Sequence, residues 1–213
     1  MKPAARHSRA GAFTLSNLLV VLGTVLLLGL LIAPYFAVCK AKSPRITCVN
    51  QLKQITMAFQ IWGRDHDDRY PMEVLTNTPA AFALVNPAGP WRYFQAVSNE
   101  LGSPKILRCP VDNGRKPAEN FGRSFGDQNI SYFAVLSANE INPNLMLAGD
   151  RHLRGDKLPV QGQLWIGTNE HIRFTGLSHA GAGNVAITDG SVQQLSSGTP
   201  SDHFGGTNWL LFP

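Results

Sequence analysis

Asp65, Asp67 and Asp68 place three carboxylates within four residues, and hard oxygen donors at that density suit calcium. No recognisable ligand loop surrounds them, so the triplet reads better as the capped and solvated end of a helix. Imidazoles at His66, His152, His171, His179 and His203 are scattered through the chain without the His-Glu-x-x-His spacing that grips zinc from one helix face. Neither a Gly-x-Ser-x-Gly elbow nor a phosphate-binding Gly-Lys loop is present. Gly181 and Gly183 beside His179 imitate a nucleotide loop, but they precede an apolar strand instead of opening a helix, which makes them turn glycines. His179 and Asp189 remain as a pair that would face one another across a sheet edge, as a structural hydrogen bond or a binding site. Without a nucleophile or a metal such a pair explains no reaction. The expectation is a protein that is not an enzyme and carries no cofactor, with Asp65, Asp67 and Asp68 as the calcium candidates.

These residues must be positioned by a small number of elements. Cys48, Leu52, Ile55, Phe59 and Trp62 recur at spacings of 4, 3, 4 and 3, the apolar stripe of a helix laid against a core. Gly63 and the acidic run that follows end it, and Ser43-Pro44 is expected to interrupt it upstream, since proline lacks an amide hydrogen and disfavours helix in the residue before it. Short strands are expected over residues 106–109, 130–136, 145–148, 185–188 and 192–195, with a closing strand over 209–212 and a second helix over 91–101. Asp189-Gly190 joins two of the strands as a hairpin signal, because a type I′ turn needs positive φ and glycine supplies it freely. No internal repeat is evident.

Residues 18–38 carry no charge, and as a helix they would span a hydrocarbon core of roughly 30 Å. A membrane segment is the direct reading. A removable secretory signal has the right positive start in Lys2, Arg6 and Arg9, but its apolar region is usually only about 7 to 15 residues. A lipoprotein signal ending at Cys39 fits poorly with Phe36 and Val38. The net charge of +5 over 213 residues suggests nucleic acid until it is located: residues 1–53 hold seven Lys or Arg and no acidic residue, and the remainder is slightly acidic. The basicity flanks the membrane segment, which argues against a nucleic-acid module. Lys40, Lys42 and Arg45 after the apolar run balance Lys2, Arg6 and Arg9 before it, so the positive-inside rule leaves orientation tied. About 160 residues beyond the membrane-proximal helix suffice for one modest core.

Ala12, Phe13, Thr14 and Leu15 followed by the apolar run resemble the prepilin cleavage and methylation site of type IV pilins and type II secretion pseudopilins. Pro34, twenty-one residues after Phe13, matches a proline common in those families. Further on, Cys48-Val49-Asn50-Gln51-Leu52-Lys53-Gln54, the acidic turn ending at Tyr70-Pro71, the loop Cys109-Pro110-Val111-Asp112, and His179 with Asn184, Asp189 and Gly190 resemble recurrent marks of pseudopilin-like proteins. The resemblance implies an α+β, pilin-like fold: a long N-terminal helix, transmembrane then amphipathic, packed on a small antiparallel sheet. It implies a leader over 1–12, a transmembrane and assembly helix over 13–38, a membrane-proximal helix over 39–64 and an extracytoplasmic domain over 65–213. It also implies an N-terminus in the cytoplasm, the folded domain in the periplasm and the helix in the inner membrane.

Under that resemblance a prepilin peptidase would cut between Ala12 and Phe13, and the product would join other pilin or pseudopilin subunits on an inner-membrane assembly platform. Asn17 stands where the family carries a glutamate that compensates a neighbouring subunit's positive N-terminus, so a minor or tip subunit is implied. Three cysteines allow at most one internal bridge. Cys48 and Cys109, both in matching segments, are expected to pair in an oxidising envelope, with two buried free thiols as the alternative. The function expected is a structural subunit of a secretion or pilus-like filament; the rival from another class is a membrane-anchored ligand-binding or enzymatic ectodomain using a pilin-like N-terminus.

Overall fold

Thr14 opens the long helix. Its hydroxyl accepts the Asn17 backbone N–H at 3.4 Å and its carbonyl accepts that of Leu18 at 3.2 Å, satisfying amides that the first turn leaves unpaired. The helix, α1, spans Leu15–Arg64 in a computed structural model. The structure describes residues 14–76, 89–157, 159–160, 162–167, 170–175, 179–200 and 208–213, and of residues 33–43, 76, 180, 200 and 208 the backbone alone. Two compact units divide between Ser43 and Pro44.

In the first unit, Leu15–Ile32 is long and apolar enough to cross a membrane, about 27 Å at the helical rise. Its large side chains are exposed throughout, Leu15, Leu26, Leu30 and Leu31 among them. Exposed leucines at that density are stable only against lipid or another apolar surface.

The second unit begins inside the same helix. The expected interruption at Ser43-Pro44 does not occur, and α1 contains both Pro34 and Pro44. A proline forfeits its own backbone hydrogen bond and crowds one carbonyl, a local cost that the turns on either side outweigh here. The predicted stripe is buried: Cys48, Leu52, Ile55 and Phe59 have no exposed surface and Trp62 has little. His66 and Asp68 return N–H bonds of 2.9 Å to the Gly63 carbonyl, and Asp67 and Asp68 adopt φ of 58° and 56°. Aspartate is among the few non-glycine residues that tolerate this left-handed region, so the acidic run terminates the helix.

Facing α1 is a six-stranded antiparallel sheet. In chain order its strands are β1 (Tyr132–Val135), β2 (Met146–Asp150), β4 (Gln163–Ile166), β6 (Ala182–Ile187), β7 (Val192–Ser196) and β9 (Asn208–Leu211), arranged β4-β9-β1-β2-β6-β7. A three-stranded ribbon holds β3 (Leu153–Arg154), β5 (His171–Phe174) and β8 (Thr199–Pro200) in the order β3-β5-β8. Helix and sheet share one core in which Phe59 meets Tyr70 and Phe94 edge-on. Polar links cross it: Tyr132 Oη donates to Gln51 Oε1 at 2.8 Å, and Gln60 Nε2 donates to the Thr188 carbonyl at 2.9 Å. The architecture is α+β, one long N-terminal helix packed on a small antiparallel sheet.

Three local expectations are corrected. The strand expected over 106–109 is a 3-10 helix at Pro104–Leu107, with the Ser103 hydroxyl accepting the Lys105 N–H. Pro104 at its first position presets the turn, and the short turn buries Pro104 and Leu107 together. The helix expected over 91–101 divides into Trp91–Ala96 and Ser98–Leu101 at Val97, whose ψ of 24° leaves the helical region. The β6-β7 hairpin is not type I′. Gly190 N–H bonds the Ile187 carbonyl at 3.0 Å and Gly190 alone of the turn has positive φ, 92°, the type I turn with a glycine bulge.

Candidate functional site

Where α1 enters the second unit, Arg45 and Cys48 lie three positions apart, about one turn, on one helix face. The chain returns to them twice. Cys109, following the Pro104–Leu107 turn, forms a disulfide with Cys48 across a sequence separation of 61, with 5.5 Å between Cα atoms. His179, in a 3-10 turn at His179–Gly181 that feeds β6, brings Nε2 to 3.4 Å from Cys109 Sγ. The two sulfurs and a ring nitrogen of His179 lie within 4.8 Å of one another, and all three residues are enclosed.

Behind the imidazole is a carboxylate that the sequence did not suggest. Asp150, last residue of β2, places Oδ2 3.6 Å from His179 Nε2, beyond hydrogen-bond reach. Oδ2 instead accepts the backbone N–H of Asn184 at 2.7 Å and its Nδ2 at 2.9 Å. Asn184 Oδ1 in turn accepts Gln194 Nε2 at 3.3 Å. Gly149 lets these strands close up: a Cβ there would sit 2.9 Å from the Asn184 carbonyl oxygen. Arg45 Nη2 donates to the His179 carbonyl, and His179 holds φ at 53°. A bulky non-glycine residue in that region costs of order 1 to 3 kcal/mol and persists only where its surroundings over-determine it.

Burial governs the charges. Side chains of His179 and Asp150 are only 2% and 3% exposed. Burial, then the Arg45 cation, depress the His179 basicity, so its imidazole is neutral at pH 7. Burial raises Asp150 to about 7 against the two Asn184 hydrogen bonds that favour its ionised form.

A second pair braces the Cys109 loop. Asp112 N–H bonds the Cys109 carbonyl at 3.0 Å, and the Asp112 carboxylate receives Arg151 through two bonds of 2.6 and 2.9 Å. Burial opposes ionisation of Asp112, yet Arg151, joined by Ser131 and the Gly114 backbone N–H, overcomes it and holds the group at about 2. Its folded value lies below the unfolded one, so its stabilisation is present above about pH 4 and is lost as pH falls toward 2. Asp112→Asn is expected to cost about 2 kcal/mol at pH 7 and to flatten this acid limb in urea titrations between pH 2 and 5. An unchanged acid limb would show that the pair is not what steadies the loop.

The other sequence-predicted residues fall elsewhere. Ala12 and Phe13 lie outside the described residues. Asn17 is exposed in the first turn of α1, and Pro34 is within that helix. His179 and Asn184 belong to the cluster, but Asp189 does not: it is exposed at the hairpin tip, where Oδ1 accepts the Ser191 N–H at 2.7 Å. Six residues of β6 separate it from His179, about 20 Å of strand, so the expected pairing across the sheet edge is corrected to His179 with Asp150. Arg45 and Asp150 were missed. Their signals are an arginine one turn before Cys48 and an aspartate ending an apolar run at Gly149.

The expectation of no cofactor, or of calcium at Asp65, Asp67 and Asp68, is also corrected. Among the described residues the converging ligand group is Cys48, Cys109 and His179, two sulfurs and a nitrogen. Calcium takes oxygen ligands; with the disulfide between the two sulfurs reduced, this donor set would suit a thiophilic ion. Asp65, Asp67 and Asp68 are exposed, and Asp67 pairs with Arg69 at 3.2 Å. Compared with protein-family models, with curated proteins and with solved structures, the chain matches none.

Proposed function

We propose that this chain is a single-pass, membrane-anchored protein whose extracytoplasmic domain binds a ligand at the cluster of Arg45, Cys48, Cys109, Asp150, His179 and Asn184. The observation that carries the reading is the cluster's expense: a buried carboxylate, an imidazole with its side chain buried on a left-handed backbone and a guanidinium converge where apolar packing would be cheaper. Such costs gather at functional sites. The enclosure of the sulfurs and the imidazole limits the ligand to something the size of an ion. Binding is the role proposed, not turnover, since the cluster presents no activated nucleophile.

A second reading shares the anchor and adds assembly: a minor pseudopilin-like subunit, cut between Ala12 and Phe13 by a prepilin peptidase and packed with other subunits on an inner-membrane platform. It is favoured by the unbroken α1, apolar and exposed over Leu15–Ile32 yet core-forming from Cys48 onward. In both readings the N-terminus is cytoplasmic and the domain periplasmic.

Mass analysis of the native N-terminus, with protease treatment of intact and opened cells, tests these together. An anchored protein stays with the membrane after an alkaline carbonate wash, and its domain is cut only once the outer barrier is opened. N-methyl-phenylalanine at Phe13 supports the filament reading, whereas an intact Met1 supports a plain anchor. A chain starting beyond residue 37 and found in the soluble fraction overturns both.

A further inference from the structure

Resting on the ligand-binding reading, we propose that the Cys48–Cys109 pair and His179 form a redox-gated zinc site: a disulfide when oxidised, a centre for one Zn²⁺ when reduced.

Geometry carries the argument. Zinc bound at about 2.3 Å to sulfur and 2.0 Å to nitrogen sets a tetrahedral S···N edge of roughly 3.5 Å. Cys109 Sγ and His179 Nε2 stand 3.4 Å apart, near that edge before any ion is present. Only the Cys48 sulfur has to withdraw from its partner, a displacement that rotation about its own Cα–Cβ bond on α1 supplies while the helix backbone stays in place. The imidazole is held in place by backbone: Arg45 donates to the His179 carbonyl, and the left-handed φ of 53° turns the ring toward the sulfurs. Two thiolates and one imidazole leave a fourth tetrahedral position, as three-ligand zinc sites do. Asp150 Oδ2 stands 3.6 Å from Nε2.

The chemistry balances with a dithiol as reductant. Its two S–H groups become one S–S bond as two electrons and two protons pass to the Cys48–Cys109 bond, giving two thiols. Zn²⁺ then replaces both thiol protons, which leave to water, while neutral Nε2 donates its lone pair. A disulfide oxidant reverses the sequence: its S–S bond takes up the two electrons of the Cys48 and Cys109 thiolates and two protons from water to become a dithiol, the Cys48–Cys109 bond re-forms, and the ion leaves because a disulfide sulfur has no thiolate charge to offer. Sulfur donors explain why the ion would be zinc and not calcium or magnesium.

The test uses the full chain in detergent. One portion is kept oxidised; another is reduced with dithiothreitol and freed of it by gel filtration under nitrogen. Each is titrated with Co²⁺ and then Zn²⁺. The reduced chain is expected to develop the strong visible bands of tetrahedral cobalt with thiolate charge transfer in the near ultraviolet, saturating at one ion per chain and erased by Zn²⁺. The oxidised chain develops neither. Reduced His179→Gln and reduced Cys48→Ser each lose the tetrahedral pattern. No bands in the reduced chain, folded or unfolded, overturn the proposal, as do bands that survive His179→Gln or that appear equally in the oxidised chain. Recovery of ellipticity on adding metal to a reduced chain that had loosened supports it. Failure here in a chain that remains membrane-anchored removes the zinc site alone; a chain released from the membrane that still binds cobalt removes the anchor alone.

Discussion

Cys48→Ser or Cys109→Ser is expected to lower the stability of the folded domain by about 4 kcal/mol, the chain-entropy value for closing a loop of this length. The bridge ties α1 to the segment that leads into β1, and the two sulfurs are buried in the shared core, so packing is lost along with the constraint. Urea unfolding of the oxidised chain, of the reduced chain and of each serine variant measures the effect. The reduced chain and the variants should agree within the spread of a single cavity-forming change. Zinc should restore part of the loss to the reduced chain and none to Cys48→Ser. A serine variant as stable as the oxidised chain would mean that the helix is held by the Leu52, Ile55 and Phe59 stripe alone.

Asp150 carries the second large effect, and its sign is opposite to that of Asp112. In the oxidised, metal-free domain its folded value of about 7 lies above the ordinary carboxylate value, so the native state keeps a proton that the unfolded chain has released. Stability therefore falls as pH rises from about 4 to about 7 and levels off beyond, by up to about 4 kcal/mol. The groups around it are Arg45, which favours the charge, Asp112, which opposes it, Tyr132, His179, and Asn184 with its two hydrogen bonds. Asp150→Asn should remove the slope between pH 4 and 7 while leaving the Asp112 limb below pH 4. Thermal unfolding across that range decides it: a wild-type slope that persists in Asp150→Asn would assign the proton elsewhere.

Much of the scaffold was legible because it rests on local periodicity. The stripe from Cys48 to Trp62 needed only 3.6-residue spacing, and it is the face that α1 buries. The strands near residues 130–136, 145–148, 185–188 and 192–195 were placed within a few residues, since each is an apolar run bounded by turn formers. What escaped has a common physical cause. β4 and β5 are four residues long with alternating burial, too short for alternation to stand out. The Pro104–Leu107 turn looked like a strand because a single 3-10 turn and a short apolar strand bury the same residues.

The site was legible only in fragments. His179 and Asn184 were singled out by motif, and Cys48 and Cys109 by their segments, but His179 was given the wrong carboxylate. Asp189 is close in the chain and follows the turn signal; Asp150 is close in space because β2 pairs with β6, the register setting Gly149 against Val185. By itself the sequence determined the apolar helix and its amphipathic continuation, since these follow from hydropathy and spacing along one segment, whereas the α+β class was an implication of the resemblance. The tertiary structure alone decided which groups meet. Residues 45, 48, 109, 150, 179 and 184 come from four separate parts of the chain, and their convergence depends on strand register and helix placement, for which neighbouring residues carry no signal.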